Sequence, residues 1–101
     1  MRAVLCHAWG AVEDLQLGDA PPPVPADGEV IIAVRVAGIN YADALMVAGH
    51  YQTKPPLPFS PGLEAAGIVT ACGNRVTRFR PGDRVMAILA HGGLAERAAS
   101  P

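Results

Sequence analysis

Glu29-Val30-Ile31-Ile32-Ala33-Val34-Arg35-Val36-Ala37-Gly38-Ile39, followed at once by Asn40-Tyr41-Ala42-Asp43-Ala44-Leu45-Met46-Val47-Ala48-Gly49, is the stretch on which the fold turns. Val30, Ile32, Val34 and Val36 share one face of its first half. Glu29, Ile31, Ala33, Arg35 and Ala37 share the other, and this period of two predicts a strand over 29–39. Gly38 breaks the run. Asn40 is placed to cap a short helix, and Asp43, three residues on, suits its positive end. Tyr41 to Ala48 is rich in Ala, Leu and Met, with Gly49 where a helix C-terminus favours it.

Outward from this stretch the pattern stays strand-like. Met1 to Trp9 predicts a first strand, with Ala3, Leu5 and His7 on one side and Val4, Cys6 and Ala8 on the other. Leu15 to Gly18 predicts a short second one, Leu15 and Leu17 against Gln16 and Gly18. Ala20 to Pro25 carries four prolines and must be extended, ending in the Asp27-Gly28 turn. His50 to Pro61 carries four more and reads as a long surface or cleft-lining loop. Strands follow over Gly62–Cys72, Arg84–Leu89 and Leu94–Ala99, with turns at Gly73-Asn74, Pro81-Gly82-Asp83 and Gly92-Gly93. About seven short strands and one short helix, with no helical crossover after each strand, predict a mainly β fold: a mostly antiparallel, partly open barrel.

Composition bounds the function classes. A chain of 101 residues makes one small domain, and at 50% hydrophobic and 17% charged it has the material for a packed core. Few aromatics leave Val, Ile, Leu and Ala to build that core. Net charge is −1. Arg75, Arg78, Arg80 and Arg84 cluster, but Pro81, Gly82 and Asp83 interrupt them and no aromatic platform accompanies them, so a solvated turn is expected and no nucleic-acid partner. No apolar stretch approaches the roughly 20 residues of a membrane span. Without a secretory leader at Met1, Cys6 and Cys72 read as reduced thiols of a cytoplasmic protein, each behaving as a small hydrophobe.

Candidate chemistry is sparse. The cysteines and histidines are isolated, so no metal site is expected, and His7, His50 and His91 read as solvent-edge or strand histidines. No Gly-x-Gly-x-x-Gly turn opens a helix; Gly62-Leu63-Glu64-Ala65-Ala66-Gly67 has the wrong spacing and reads as strand glycines. Gly38 to Asp43, followed by Gly49-His50-Tyr51, would make a good cleft wall. By residue pattern alone, capping by Asn40 and Asp43 and packing of Tyr51 is the favoured account. Glu64 lies in an apolar strand, where a partly buried carboxylate needs a partner. It is either a strand-end residue paired with an arginine or a residue near a reaction pocket.

Six ordered segments then carry a resemblance along the whole chain: Met1-Arg2-Ala3-Val4; Pro23-Val24-Pro25 with Gly28-Glu29-Val30; Gly38-Ile39-Asn40-Tyr41-Ala42-Asp43; Leu57-Pro58-Phe59-Ser60-Pro61-Gly62 with Glu64 and Gly67; Gly82-Asp83-Arg84-Val85; and Gly92-Gly93-Leu94-Ala95-Glu96. Together they resemble the medium-chain dehydrogenase/reductase superfamily, in particular its NADPH:quinone oxidoreductase, or zeta-crystallin, branch. The resemblance implies a GroES-like barrel over residues 1–101, the N-terminal part of a catalytic domain, truncated before the Rossmann domain that follows it in the family. The implied parent is a reductase of quinones or conjugated carbonyls that uses NADPH. An enoyl reductase of the same superfamily and a stand-alone GroES-like binding module without catalysis are the alternatives.

Zinc-dependent members of that superfamily hold a Cys ligand where this chain has Asn40 and a His ligand where it has Leu63, so the resemblance implies a zinc-independent site. It further implies that Asn40 and Tyr51 lie near the nicotinamide and the substrate, as catalytic and cofactor-binding residues. Leu45 stands where some relatives carry a second pocket tyrosine and, with Glu64, is assigned to the substrate pocket. The isolated chain is expected to be inactive and not to hold NADP by itself, and its uncovered barrel is expected to self-associate.

Overall fold

The computed structural model describes all 101 residues, and six strands and one helix account for its regular structure. They are β1 (Arg2–Leu5), β2 (Gln16–Asp19), β3 (Val30–Ala37), α1 (Tyr41–Val47), β4 (Glu64–Cys72), β5 (Arg84–Ile88) and β6 (Arg97–Ser100). A 3-10 turn over Val12–Asp14, absent from the sequence reading, separates β1 from β2. The first strand is shorter than the alternation of 1–9 suggested. Ala3 and Leu5 are buried, whereas His7 lies beyond the strand and is exposed.

All pairings are antiparallel. β1 and β2 form a ribbon, and the other four strands form a sheet in the order β5-β4-β3-β6. The segment leading into β6 joins the two sheets. Glu96 donates its N–H to the Arg2 carbonyl at 3.0 Å, while the Glu96 carbonyl accepts from Val34 at 2.9 Å. Val4 donates to Leu94 at 2.9 Å, and Cys6 and Phe59 exchange backbone bonds. The result is a mainly β, partly open barrel of the kind expected, stitched along β6 and open along β5.

Apolar packing occurs in three places. Cys6, Met46, Val47 and Phe59 anchor α1 and the proline-rich loop to the end of β1. Val30, Ile32 and Val69 fill the space beneath β3 and β4, and Ala65, Leu89 and Ala98 complete the interior near β5 and β6. Trp9 leans on Phe59 with ring centroids 5.7 Å apart, and His91 meets the same ring edge-on at 6.0 Å. Cys6 and Cys72 are both free thiols. No helix is long and apolar enough to cross a membrane.

Three apolar strand side chains lie outside the core. Val36 is 67% exposed because the β3–β4 register shifts between Val34, opposite Gly67, and Val36, opposite Ala66. The extra residue, Arg35, forms a bulge that breaks the alternation and turns Val36 outward. Ile88 is 89% exposed, because in β5 Val85, Ala87 and Leu89 face the interior while Arg84, Met86 and Ile88 face out. Leu17 is likewise exposed, since Gly18 is the β2 residue opposite buried Ala3, and its Cα packs beneath the Leu5 side chain.

Candidate functional site

The end of β3 and the start of β4 meet at a corner built on two glycines. Gly38 extends the ladder by donating its N–H to the Glu64 carbonyl at 3.3 Å. The Glu64 side chain lies over Gly38 so closely that a Cβ there would fall on its carboxylate. A side chain at position 38 would have to displace the exposed Glu64 carboxylate. Glu64 is exposed at the β4 terminus, which corrects the expectation of a partly buried carboxylate: its apolar neighbours Leu63 and Ala65 point to the other side of the pleat. An open groove of about 760 Å³ runs from Gly38 and Glu64 past Val36 and Ala66 to Met86 and Ile88.

Asn40 has the extended backbone of a helix N-cap, φ −122° and ψ 159°, and is exposed. Its N–H donates to Oδ2 of Asp43 at 2.8 Å, so the acidic residue of the first turn closes the cap as its position suggested. The second oxygen of that carboxylate does something the sequence did not announce. Oδ1 of Asp43 accepts from the N–H of Gly62 at 2.9 Å, and Asp43 is only 5% exposed. One buried carboxylate thus holds the start of α1 against the lead-in to β4.

Gly62 is in turn locked against the segment before β6. Its φ is +114°, and a Cβ there would lie 2.6 Å from the Leu94 nitrogen. Leu94 donates to the Pro61 carbonyl at 2.9 Å, Gly93 to Gly62 at 3.1 Å and Gly92 to Ser60 at 2.8 Å. The Ser60 hydroxyl adds a bond to the Leu94 carbonyl at 3.1 Å. Asn40 therefore stands on a rigid platform of helix cap, loop and barrel.

The four residues singled out from the sequence lie at three places along the chain's fold: the Gly38 corner, α1 and the segment after it. Asn40 and Glu64 flank the Gly38 corner. Tyr51 lies past the far end of α1, half-buried against the cluster of Met46, Val47 and Phe59. Leu45, half-buried on the helix, accepts at its carbonyl from His50 at 2.9 Å. Leu63 packs on the same cluster as Tyr51. No three His, Cys, Asp or Glu side chains gather as a ligand set. Two groups depart from their ordinary titration: burial lowers the pKa of His91, and burial raises that of Cys6 against a smaller opposing hydrogen bond to Ala8.

Residues 26–100 match the alcohol dehydrogenase GroES-like domain. The chain is 41% identical over 100 residues to a quinone oxidoreductase of Lama guanicoe, covering 97% of this chain and 30% of that protein. It superposes with a TM-score of 0.93 and 38% identity on the human synaptic vesicle membrane protein VAT-1 homolog-like protein, covering 100% of this chain and 32% of that one. On the Escherichia coli quinone oxidoreductase complexed with NADPH the TM-score is 0.91 at 33% identity, covering 99% and 31%. The chain thus spans about a third of the length of each of these relatives.

Proposed function

The chain belongs to the alcohol dehydrogenase GroES-like domain family, and on that premise we propose that it builds the N-terminal part of the catalytic domain of a zinc-independent quinone oxidoreductase. The protein it serves reduces quinones or related conjugated carbonyls with NADPH. The observation that carries this reading is the corner at Asn40: an exposed residue whose backbone exchanges hydrogen bonds with Asp43, itself anchored to Gly62, and which follows Gly38 at the end of an open groove. Fixed polar groups of this kind position and polarise a carbonyl without a metal.

The donor set supports the zinc-free reading. Asn40 and Leu63 stand where zinc-dependent relatives hold thiolate and imidazole, an amide is a weak zinc ligand, and a leucine is none. The fit to a dinucleotide is partial. Asn40, with an amide donor and acceptor, and Tyr51, with a phenolic donor, suit the nicotinamide end and the substrate carbonyl. A pyrophosphate finds no glycine-rich strand-to-helix turn here, since the only α-helix is seven residues long and starts from Asn40. Binding of that group falls to residues outside this chain. NADPH, when bound, supplies the hydride; Asn40 and Tyr51 orient the acceptor, and Leu45 and Glu64 shape the pocket.

The test uses a longer protein carrying these residues together with a cofactor domain. Asn40→Ala and Tyr51→Phe are each expected to lower kcat/KM for a quinone roughly 10-fold to 100-fold, a larger loss than either causes in stability. Early melting of both variants at unchanged specific activity overturns the assignment and leaves the two residues as cap and core.

A further inference from the structure

We propose that Asp43 is a positioning residue for the reduction, fixing where Asn40 stands and acting on the reaction only through Asn40. The proposal rests on the reading of Asn40 as a pocket residue.

The choice of residue is more costly than a helix cap requires. One acceptor reaching back to the Asn40 N–H closes the cap, and a glutamate or glutamine at the surface would serve. Asp43 instead places its carboxylate in a site where it is only 5% exposed, and burial of that kind costs free energy unless each oxygen finds a donor. Oδ2 accepts from Asn40 at 2.8 Å. Oδ1 accepts from Gly62, 19 positions further along the chain, at 2.9 Å. The second bond is the task that a surface cap could not perform.

That bond closes a ring. Gly38 donates to the Glu64 carbonyl at 3.3 Å, and Asn40 is joined to Gly62 through Asp43, so two links enclose Ile39 and Leu63. The far side of the ring is itself fixed, because Gly93 donates to the Gly62 carbonyl at 3.1 Å and Leu94 to the Pro61 carbonyl at 2.9 Å. Asn40 is thus tied to the barrel on both sides, by the strand ladder before it and by the carboxylate after it. With each oxygen turned to a backbone N–H in a closed site, Asp43 is placed to set geometry and not to touch substrate. A polar group displaced by about 1 Å from its working position can lose on the order of 100-fold in rate.

A double-mutant cycle in a longer protein that carries these residues with a cofactor domain tests the proposal. Asp43→Asn keeps the size of the side chain and removes one of its two acceptors. It should lower kcat/KM for a quinone roughly 10-fold or more. Once Asn40 is alanine, the same change should lower it less than about twofold further. Should Asp43→Asn fail to fold, Asp43→Ser enters the same cycle, since its smaller side chain leaves room for water at the two N–H groups. A carboxylate that is merely structural gives a lower melting temperature at unchanged kcat/KM, or losses that multiply in the double variant. Either result, with Asn40→Ala impaired, overturns the proposal and leaves the pocket reading standing. Full kcat/KM in Asn40→Ala removes the pocket reading and the proposal with it.

Discussion

Both carboxylate oxygens of Asp43 are committed to backbone N–H groups, one on Asn40 and one on Gly62, in a site almost closed to water. Truncating it leaves two donors without partners, so Asp43→Ala should cost about 2–4 kcal/mol in urea unfolding. Asp43→Asn should recover little, since its amide NH₂ would face one of the two N–H donors. The spacing Asn40-x-x-Asp43 made the cap legible, whereas the bond to Gly62, 19 positions away, depended on how the chain folds back. The two thiols should separate in the same way: a neutral alkylating reagent should modify half-buried Cys72 well before buried Cys6, whose pKa burial also raises. His91 carries a pH dependence. Burial lowers its pKa below 6.5, so the unfolded chain takes up a proton before the folded one does. Stability is then complete above pH 6.5 and declines as the pH falls through 6.5 toward the folded value. The imidazole is only partly buried, so the effect is small, and His91→Gln should flatten the decline in urea midpoint on the acid side.

At the scale of elements, the lead-in to β4 is the joint that the site depends on. Gly62 combines a left-handed backbone with direct contact to the Gly93–Leu94 segment, so Gly62→Ala meets both backbone strain and a clash with main-chain atoms that cannot rotate away. It should destabilise by about 2–4 kcal/mol, read by thermal or urea unfolding, and should do so more than Gly82→Ala. Gly82 has a similar φ of +99° but open space around it, so the difference between the two isolates the clash. β3 shows the opposite relation between sequence and element. Its existence follows from alternation alone, but the bulge at Arg35 does not, because it is set by the register against Gly67 and Ala66 on a distant segment.

At the scale of the molecule, the chain presents a site corner and an open groove but no dinucleotide cradle. Titration of the isolated chain with NADPH, followed by nicotinamide fluorescence, is expected to show no saturable change; micromolar binding would require a phosphate site that the strand and helix order does not offer. The exposed row of Val36, Met86 and Ile88 belongs to the same scale, since whether it faces water depends on what other polypeptide surrounds the barrel.

The sequence by itself determined the class of fold, the single helix with its cap, the cluster of turns and the family to which these belong. Those features rest on local periodicity, on backbone preferences of Gly, Pro, Asn and Asp, and on ordered short motifs, all of which act within a few residues. Tertiary structure alone decided which side of β3 Val36 occupies, that Asp43 bridges to Gly62, that Tyr51 packs on Met46, Val47 and Phe59, and that β5 pairs with β4 alone. Each of these depends on the register between segments far apart in the chain, and a register is chosen by the summed packing of the whole barrel, which no local stretch encodes.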